Sequence, residues 1–495
     1  MISSNIKRID STSIEIKVKY RPKRKRFVRF KKYSLETYFF LPIETGVNKR
    51  NYTRIDFYRE LKSYLKIDPP KVLLSEIADR DNFFMQLLDK SLSMYDVNSI
   101  ETINLLEDRL KIFLNIFKKA TKREVRKILI YPNDNEKLRV GLRFCSNLNK
   151  AAADYRNLCN KYLYLSEKSN KVNTIYSIGD EYISNQCYRY YLQLLKEVVM
   201  EDSNNREKLN AAIKQQLNQE IAYRKAHNFP LSSESKKKNE LLINRWDKIK
   251  YFVTNKLIIN TRIDKETRYI EEVLYSLSAG IAMVFATSVA FYYNKVFGNF
   301  TLRFFFVLVI SYMFKDRIKE WFRSFFNTIL HKQILDHRFN LYDDNHKKIG
   351  SSHDGFSFVP KTNMDKKIYA LRYIEATEKE DWIEHDEKIM RFTRRIKINV
   401  KAFLKTFKNI KLRGVNDVIT FNFSPIILRL EESKIPLYIQ KNDKVKEVYN
   451  ERNIPIHIVV AINFGKEYQY QHYEVKLNKN GIASLKTIAL NNNNS

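Results

Sequence analysis

From Val273 to Tyr293 the chain runs for 21 residues without a charged side chain. Coiled as a helix at 1.5 Å per residue, this run is about 30 Å long, which matches the hydrocarbon thickness of a bilayer. The sequence therefore reads first as an integral membrane protein. A second apolar stretch follows at once: Phe304 to Phe314 is intensely apolar, with Arg303 just before it. Taken back to Phe297, it spans roughly 27 Å, provided Arg303 sits at the boundary and snorkels. The link Asn294–Val296 leaves room only for a tight turn, so the expectation is a transmembrane helical hairpin over 273–314.

Flanking charge sets the expected orientation. Lys256, Arg262, Lys265 and Arg268 precede the first span, and Lys315, Arg317, Lys319, Arg323 and Lys332 follow the second. The turn between offers only Lys295 and Arg303. Both large flanking regions, and both termini, are expected on the cytoplasmic side of a bacterial-type inner (plasma) membrane. Ser278, Ala282, Ala286 and Ala290 fall at i, i+4 spacing, a small-residue stripe for helix packing within the hairpin or onto another copy. Neither span holds Asp, Glu or His, so a proton relay has no support. In 315–336, Ile318, Trp321, Phe322, Phe325 and Ile329 share a face opposite Lys315, Lys319, Arg323 and Lys332. That pattern fits a juxtamembrane helix in the interface, with Lys319, Trp321, Phe322, Arg323 and Phe325 as lipid contacts, or a continuation of the second span.

Periodicity divides the rest. In 1–72, Ile14, Ile16, Val18 and Tyr20 alternate with polar residues, and a β-prone run from Phe27 to Leu41 follows a turn at Pro22, which reads as a β-hairpin. Thr53 with Asp56 is a capping-box signal for a helix carrying Phe57, Leu61 and Leu65 up to Pro69. Region 73–272 is read as a helical bundle or coiled coil, with helices over 136–168, 180–200, 206–226 and 235–259 and breaks at Pro132, Gly179, Asp202–Asn205 and Pro230. Region 337–490 returns to β character at Ile368–Ile374, Val418–Phe423 and Ile456–Phe464, with a last hairpin turning at Asn480-Gly481. An Asn-rich tail, 491–495, is expected to be disordered. The fold class is thus an α+β membrane protein: a two-helix transmembrane hairpin, a mostly helical N-terminal cytoplasmic region starting in a β-hairpin, and a C-terminal antiparallel β-containing domain.

Charge points to anionic partners. The 89 Lys and Arg against 56 Asp and Glu leave a net charge of +33, which favours acidic phospholipid headgroups or nucleic acid. The densest cluster is Lys23, Arg24, Lys25, Arg26, Arg29, Lys31 and Lys32, interleaved with Phe27, Phe30 and Tyr33. A solvated hairpin is the plainer reading of it. Three cysteines without a CxxC pair give neither a disulfide framework nor a zinc ribbon. Only 10 glycines occur, and GxxxxGK[ST], GxGxxG and GxSxG are all absent, so no nucleotide or other cofactor and no catalytic residue is assigned. His331, His337, His346 and His353 lie near Asp336, Asp343, Asp344 and Asp354, but their spacing matches no metal motif, and His385 beside Glu384 and Asp386 reads as solvated surface. The leading expectation is a membrane-anchored cytoplasmic binding or assembly protein. The alternatives are a membrane-perturbing or sensing effector, as in phage defence, with a trigger such as nucleic acid, and an enzyme with an unrecognised site in the C-terminal domain.

Overall fold

The structure is a computed structural model. It describes every residue except 1–2, 21–29, 80–81, 96–98, 163, 165–169, 264–265, 299–300, 334–335, 344–345, 373–386, 407–413, 442–443, 466 and 490–495, and of 266–271, 327–333, 441 and 467 only the backbone. The chain forms two compact units, one of residues 1–64, 260–406 and 417–495, the other of residues 65–259 and 407–416.

Alternating apolar residues build the first unit as two layered sheets. One sheet has the order β1 (Ser3–Arg8), β2 (Ser13–Tyr20), β9 (Gly414–Asn422), β4 (Leu61–Asp68). The other has eight strands: β14 (Gly481–Ile488), β13 (Glu467–Asn478), β12 (Ile454–Phe464), β3 (Phe30–Leu41), β8 (Lys388–Asn399), β7 (Lys348–Val359), β6 (His337–Tyr342) and β5 (Asn260–Ile263). A separate ribbon pairs β10 (Lys434–Lys441) with β11 (Lys444–Glu451). Ile14, Ile16 and Val18 from the smaller sheet meet Leu35, Phe39, Phe392 and Ile458 from the larger in one continuous apolar cluster. That is the packing of a β-sandwich, in which each strand sends alternate side chains inward. The opposite face of the larger sheet is apolar at its centre, where Tyr38, Phe40 and Val459 gather with Ile368. Ile368 belongs to a short helix, so the β character read at Ile368–Ile374 is replaced by helix over Lys366–Arg372.

The first two β runs do not form a hairpin with each other. β2 pairs with β1, whereas β3 enters the other sheet between β12 and β8. The chain does begin in a β-hairpin, but it is β1–β2, and the N- and C-terminal β regions share one sheet. The capping box at Thr53 is present in full, opening α1 (Arg54–Glu60). α1 then stops, because Leu61, Ser63, Leu65 and Ile67 alternate with Lys62, Tyr64, Lys66 and Asp68, and the period of two makes β4 where a longer helix was expected.

The second unit is helical, as its periodicity requires. After the single turn of α2 (Leu74–Ile77), it contains α3 (Phe83–Ser93), α4 (Ile100–Ile130), α5 (Asp134–Lys161), α6 (Asn170–Glu197), α7 (Ser203–Ala226) and α8 (Lys236–Asn255). Asn133 and Asp202 cap α5 and α7 through their side-chain oxygens. Gly179 does not break a helix; it lies inside α6. A β-carbon there would meet the Tyr155 hydroxyl of α5 at 2.1 Å, so the glycine serves the close crossing of two helices. Arg156 ties α5 to Asp180 of α6 and Glu220 of α7, and Arg245 of α8 holds the fully buried Glu181.

Candidate membrane interface

Two helices of equal length project the long apolar stretch: α9 (Glu266–Phe297) and α10 (Leu302–Gln333), 32 residues each, or about 48 Å. They pack against one another. Gly298 ends α9 in the left-handed conformation, φ +72°, with its N–H on Asn294 O, and Thr301 starts α10 by accepting from Phe305 N–H. A glycine adopts this turn without steric cost. Arg323 of α10 stacks over Tyr275 of α9 at 4.3 Å, which fixes the antiparallel register. α10 is continuous, so 315–333 extends the second apolar stretch rather than forming a separate juxtamembrane helix.

The hairpin is built inside out. Among its described side chains the buried ones are Ser278, Ala282 and Ser311, all small, while Phe291, Leu302, Phe306 and Met313 are exposed. Ala286 and Ala290 are half-buried. Ser276, Ser278 and Thr287 bond back to carbonyls of their own helix, so these hydroxyls need no water. Among the described residues one helix has the length and composition to cross a membrane, within Glu272–Phe297. The second falls short because Arg303 and Lys315 bracket only 11 uncharged residues, about 16 Å of helix.

The expected lipid contacts lie together on α10. Lys319, Trp321, Arg323 and Phe325 are exposed and Phe322 is half-buried; Trp321 stacks on Phe325 with ring centroids 6.2 Å apart. Of the expected anion-binding cluster, Lys31 and Lys32 sit on β3, half-buried and exposed respectively. Lys23, Arg24, Lys25, Arg26 and Arg29 lie outside the described residues, as do Asp344, His385 and the 491–495 tail, and so does the His331 side chain.

The remaining histidines and acids serve different parts of the fold. His337 packs edge-on against Tyr58, and His346 Nδ1 accepts from the Arg262 guanidinium. Asp336 holds Arg54, the Tyr58 hydroxyl and Phe356 N–H, and Asp343 holds Lys347 N–H and Thr406. Among the described residues no group of three His, Cys, Asp or Glu could hold a metal.

Two buried polar groups escaped the sequence. Arg394 of β8 is enclosed between Asp354 of β7, at 2.6 Å, and Asp417 of β9, at 3.1 Å, with Ser63, Ser352 and Tyr33 completing the network. Burial pushes the Asp417 carboxyl up to about 6, against the pull of Arg394. The network joins the two sheets across the apolar core, with Arg394, Asp354 and Asp417 all buried, which suits a staple. On the opposite face, His457 Nδ1 and His472 Nε2 lie 3.0 Å apart. Burial first, then nearby Arg372, depresses both imidazoles, His457 to about 3 and His472 to about 4. Arg394 draws its partners from strands distant in sequence, and the two histidines meet only through the register of β12 with β13, so no local spacing announces them.

The second unit adds a polar groove of about 440 Å³ between α5 and α7, lined by Ser146, Asn149, Lys150, Gln215 and Gln216. Nearby, Arg156 is already engaged by Asp180 and Glu220 and stacks on Tyr223 at 3.5 Å. No family model, curated protein or solved structure matches this chain.

Proposed function

We propose that the chain is a membrane-anchored binding or assembly protein whose α9–α10 hairpin enters the bilayer, with both compact units on the cytoplasmic side. The observation that carries this reading is the hairpin's inverted construction: large apolar side chains outward, small ones inward. Water penalises such a surface at roughly 25 cal/mol per Å² of exposed apolar area, whereas lipid accepts it. Basic residues at the outer ends of the two helices, Arg262 and Arg268 before the first span and Lys332 after the second, suit acidic headgroups, at about 1 kcal/mol per basic residue near the surface. The tip carries Lys295 and Arg303 among Tyr292, Tyr293 and Phe297, a composition suited to the far interface.

The test is flotation of the full chain with phosphatidylcholine vesicles containing or lacking phosphatidylglycerol, followed by alkaline carbonate extraction. The expected result is carbonate-resistant flotation that is stronger with the anionic lipid, and protection of the 298–301 turn from added protease. Release of the chain by carbonate, or loss of flotation in high salt, would reduce the hairpin to a peripheral contact.

A further inference from the structure

The two helices of the hairpin are matched in length but not in polarity. Because Tyr275 stands opposite Arg323, residues 315–323 of α10 lie beside residues 275–283 of α9, within its uncharged run. That segment of α10 carries Lys315, Asp316, Arg317, Lys319, Glu320 and Arg323. If α9 spans the hydrocarbon from Val273 to Tyr293, these charges stand at its depth, and Lys315 is only 12 residues from Arg303, about 18 Å along the helix. Snorkelling reaches a few ångströms and serves one or two cations near an end; it does not serve two carboxylates and four cations on successive turns.

Their arrangement supplies the missing partner. Lys315, Lys319 and Arg323 recur every four residues and form a cationic row along α10. Asp316 and Glu320 form an acidic row displaced by about 100° around the helix. Among the described residues Asp316, Arg317, Lys319 and Glu320 have no ion-pair partner, and the first three are exposed, as is Glu320. Copies inserted from the same side of a membrane run parallel. A second α10 placed against this face lays its acidic row on the first copy's cationic row, and the reverse, much as flanking charges do in parallel coiled coils.

We propose that, in the bilayer, the charged face of α10 is an interface with a second copy of this chain, closed by reciprocal pairing of Lys315 and Lys319 with Asp316 and Glu320. The small-residue stripe of α9 faces its own hairpin, which leaves the α10 face for association. This inference rests on the membrane reading above.

Charge exchange tests it. Full-length chains carrying donor or acceptor fluorophores at the N-terminus are reconstituted into phosphatidylcholine–phosphatidylglycerol vesicles at high dilution in lipid. The wild-type chain is expected to show energy transfer between copies. An all-cationic variant (Asp316→Lys with Glu320→Lys) and an acidic variant (Lys315→Glu with Lys319→Glu) should each associate at least about tenfold more weakly, through like-charge contact. Mixing the two variants should restore transfer. A wild-type chain that floats with vesicles but shows no transfer, as a monomer whose charges reach the headgroups would, overturns the interface alone. So do single variants that associate like the wild type, or a mixture that does not recover. A chain that fails to float overturns the anchor and this interface together.

Discussion

Lowering the pH should loosen the β-sandwich through one pair of residues, His457 and His472. In the folded chain both imidazoles are held neutral, with values of about 3 and 4, whereas an unfolded histidine titrates near 6.5. Folding therefore excludes protons that the unfolded chain binds. The stabilisation is complete above about pH 6.5 and is lost as the pH falls towards 4. At pH 5 each histidine forfeits about 2 kcal/mol, so the pair together forfeits about 4 kcal/mol, or roughly a thousandfold in the folded-to-unfolded ratio, if their protonations are independent. The surroundings offer little relief. Arg372, itself paired with Glu387, and Lys476 oppose a positive imidazole, while Glu474, directly across from His457 in register, already holds Lys476. Hydrogen exchange of the full chain in detergent micelles, corrected for intrinsic rates, reads this directly. Protection along β12 and β13 should fall steeply between pH 7 and pH 5, with α4 to α6 as internal reference. In a His457→Leu, His472→Leu variant the steepness should vanish. An equally steep loss in that variant would refute the assignment.

Other substitutions probe the remaining devices. Arg394→Met leaves Asp354 and Asp417 buried without a cation and should cost about 3–5 kcal/mol in denaturant unfolding, with much of it recovered when both acids become Asn. Gly179→Ala should lower the melting temperature of the helical unit, a loss of about 1–3 kcal/mol, and Tyr155→Phe in the same chain should return part of it by removing the colliding hydroxyl. Thr53→Ala removes the cap of α1 and should cost about 1 kcal/mol in the same unfolding assay, whereas Thr53→Ser should be nearly neutral. Val284→Glu with Phe306→Glu places charge on the hairpin's outer face and should abolish carbonate-resistant flotation without altering exchange protection in the β-sandwich.

The sequence was most readable where periodicity alone decides structure. The long helices, the Thr53 cap, the strand at Ile14–Tyr20 and the final hairpin all follow from residue spacing, and each has the expected type. It was least readable where partners come from afar. β2 and β3 are neighbours in sequence with a turn between them, yet each finds better cover in a different sheet, because β3 has apolar residues on both faces at Tyr38, Phe39 and Phe40 and so needs strands on both sides and layers above and below. Gly179 looked like punctuation because nothing local reveals that Tyr155 crosses above it. For the candidate interface, the charges and aromatics of 315–325 were visible at once. Their depth was not, since it depends on which residue of α9 stands opposite Arg323.

The placement of β3 also sets an order of events during synthesis. Its neighbour β8 follows the hairpin in sequence, and its other neighbour β12 comes later still. The helices of residues 65–259 are all made before either neighbour, and the hairpin emerges next. An early strand with two open edges must therefore wait, as the chain grows, for the segment that closes the sheet. The early strands of the sandwich therefore become native only once β12, made late, has closed the sheet.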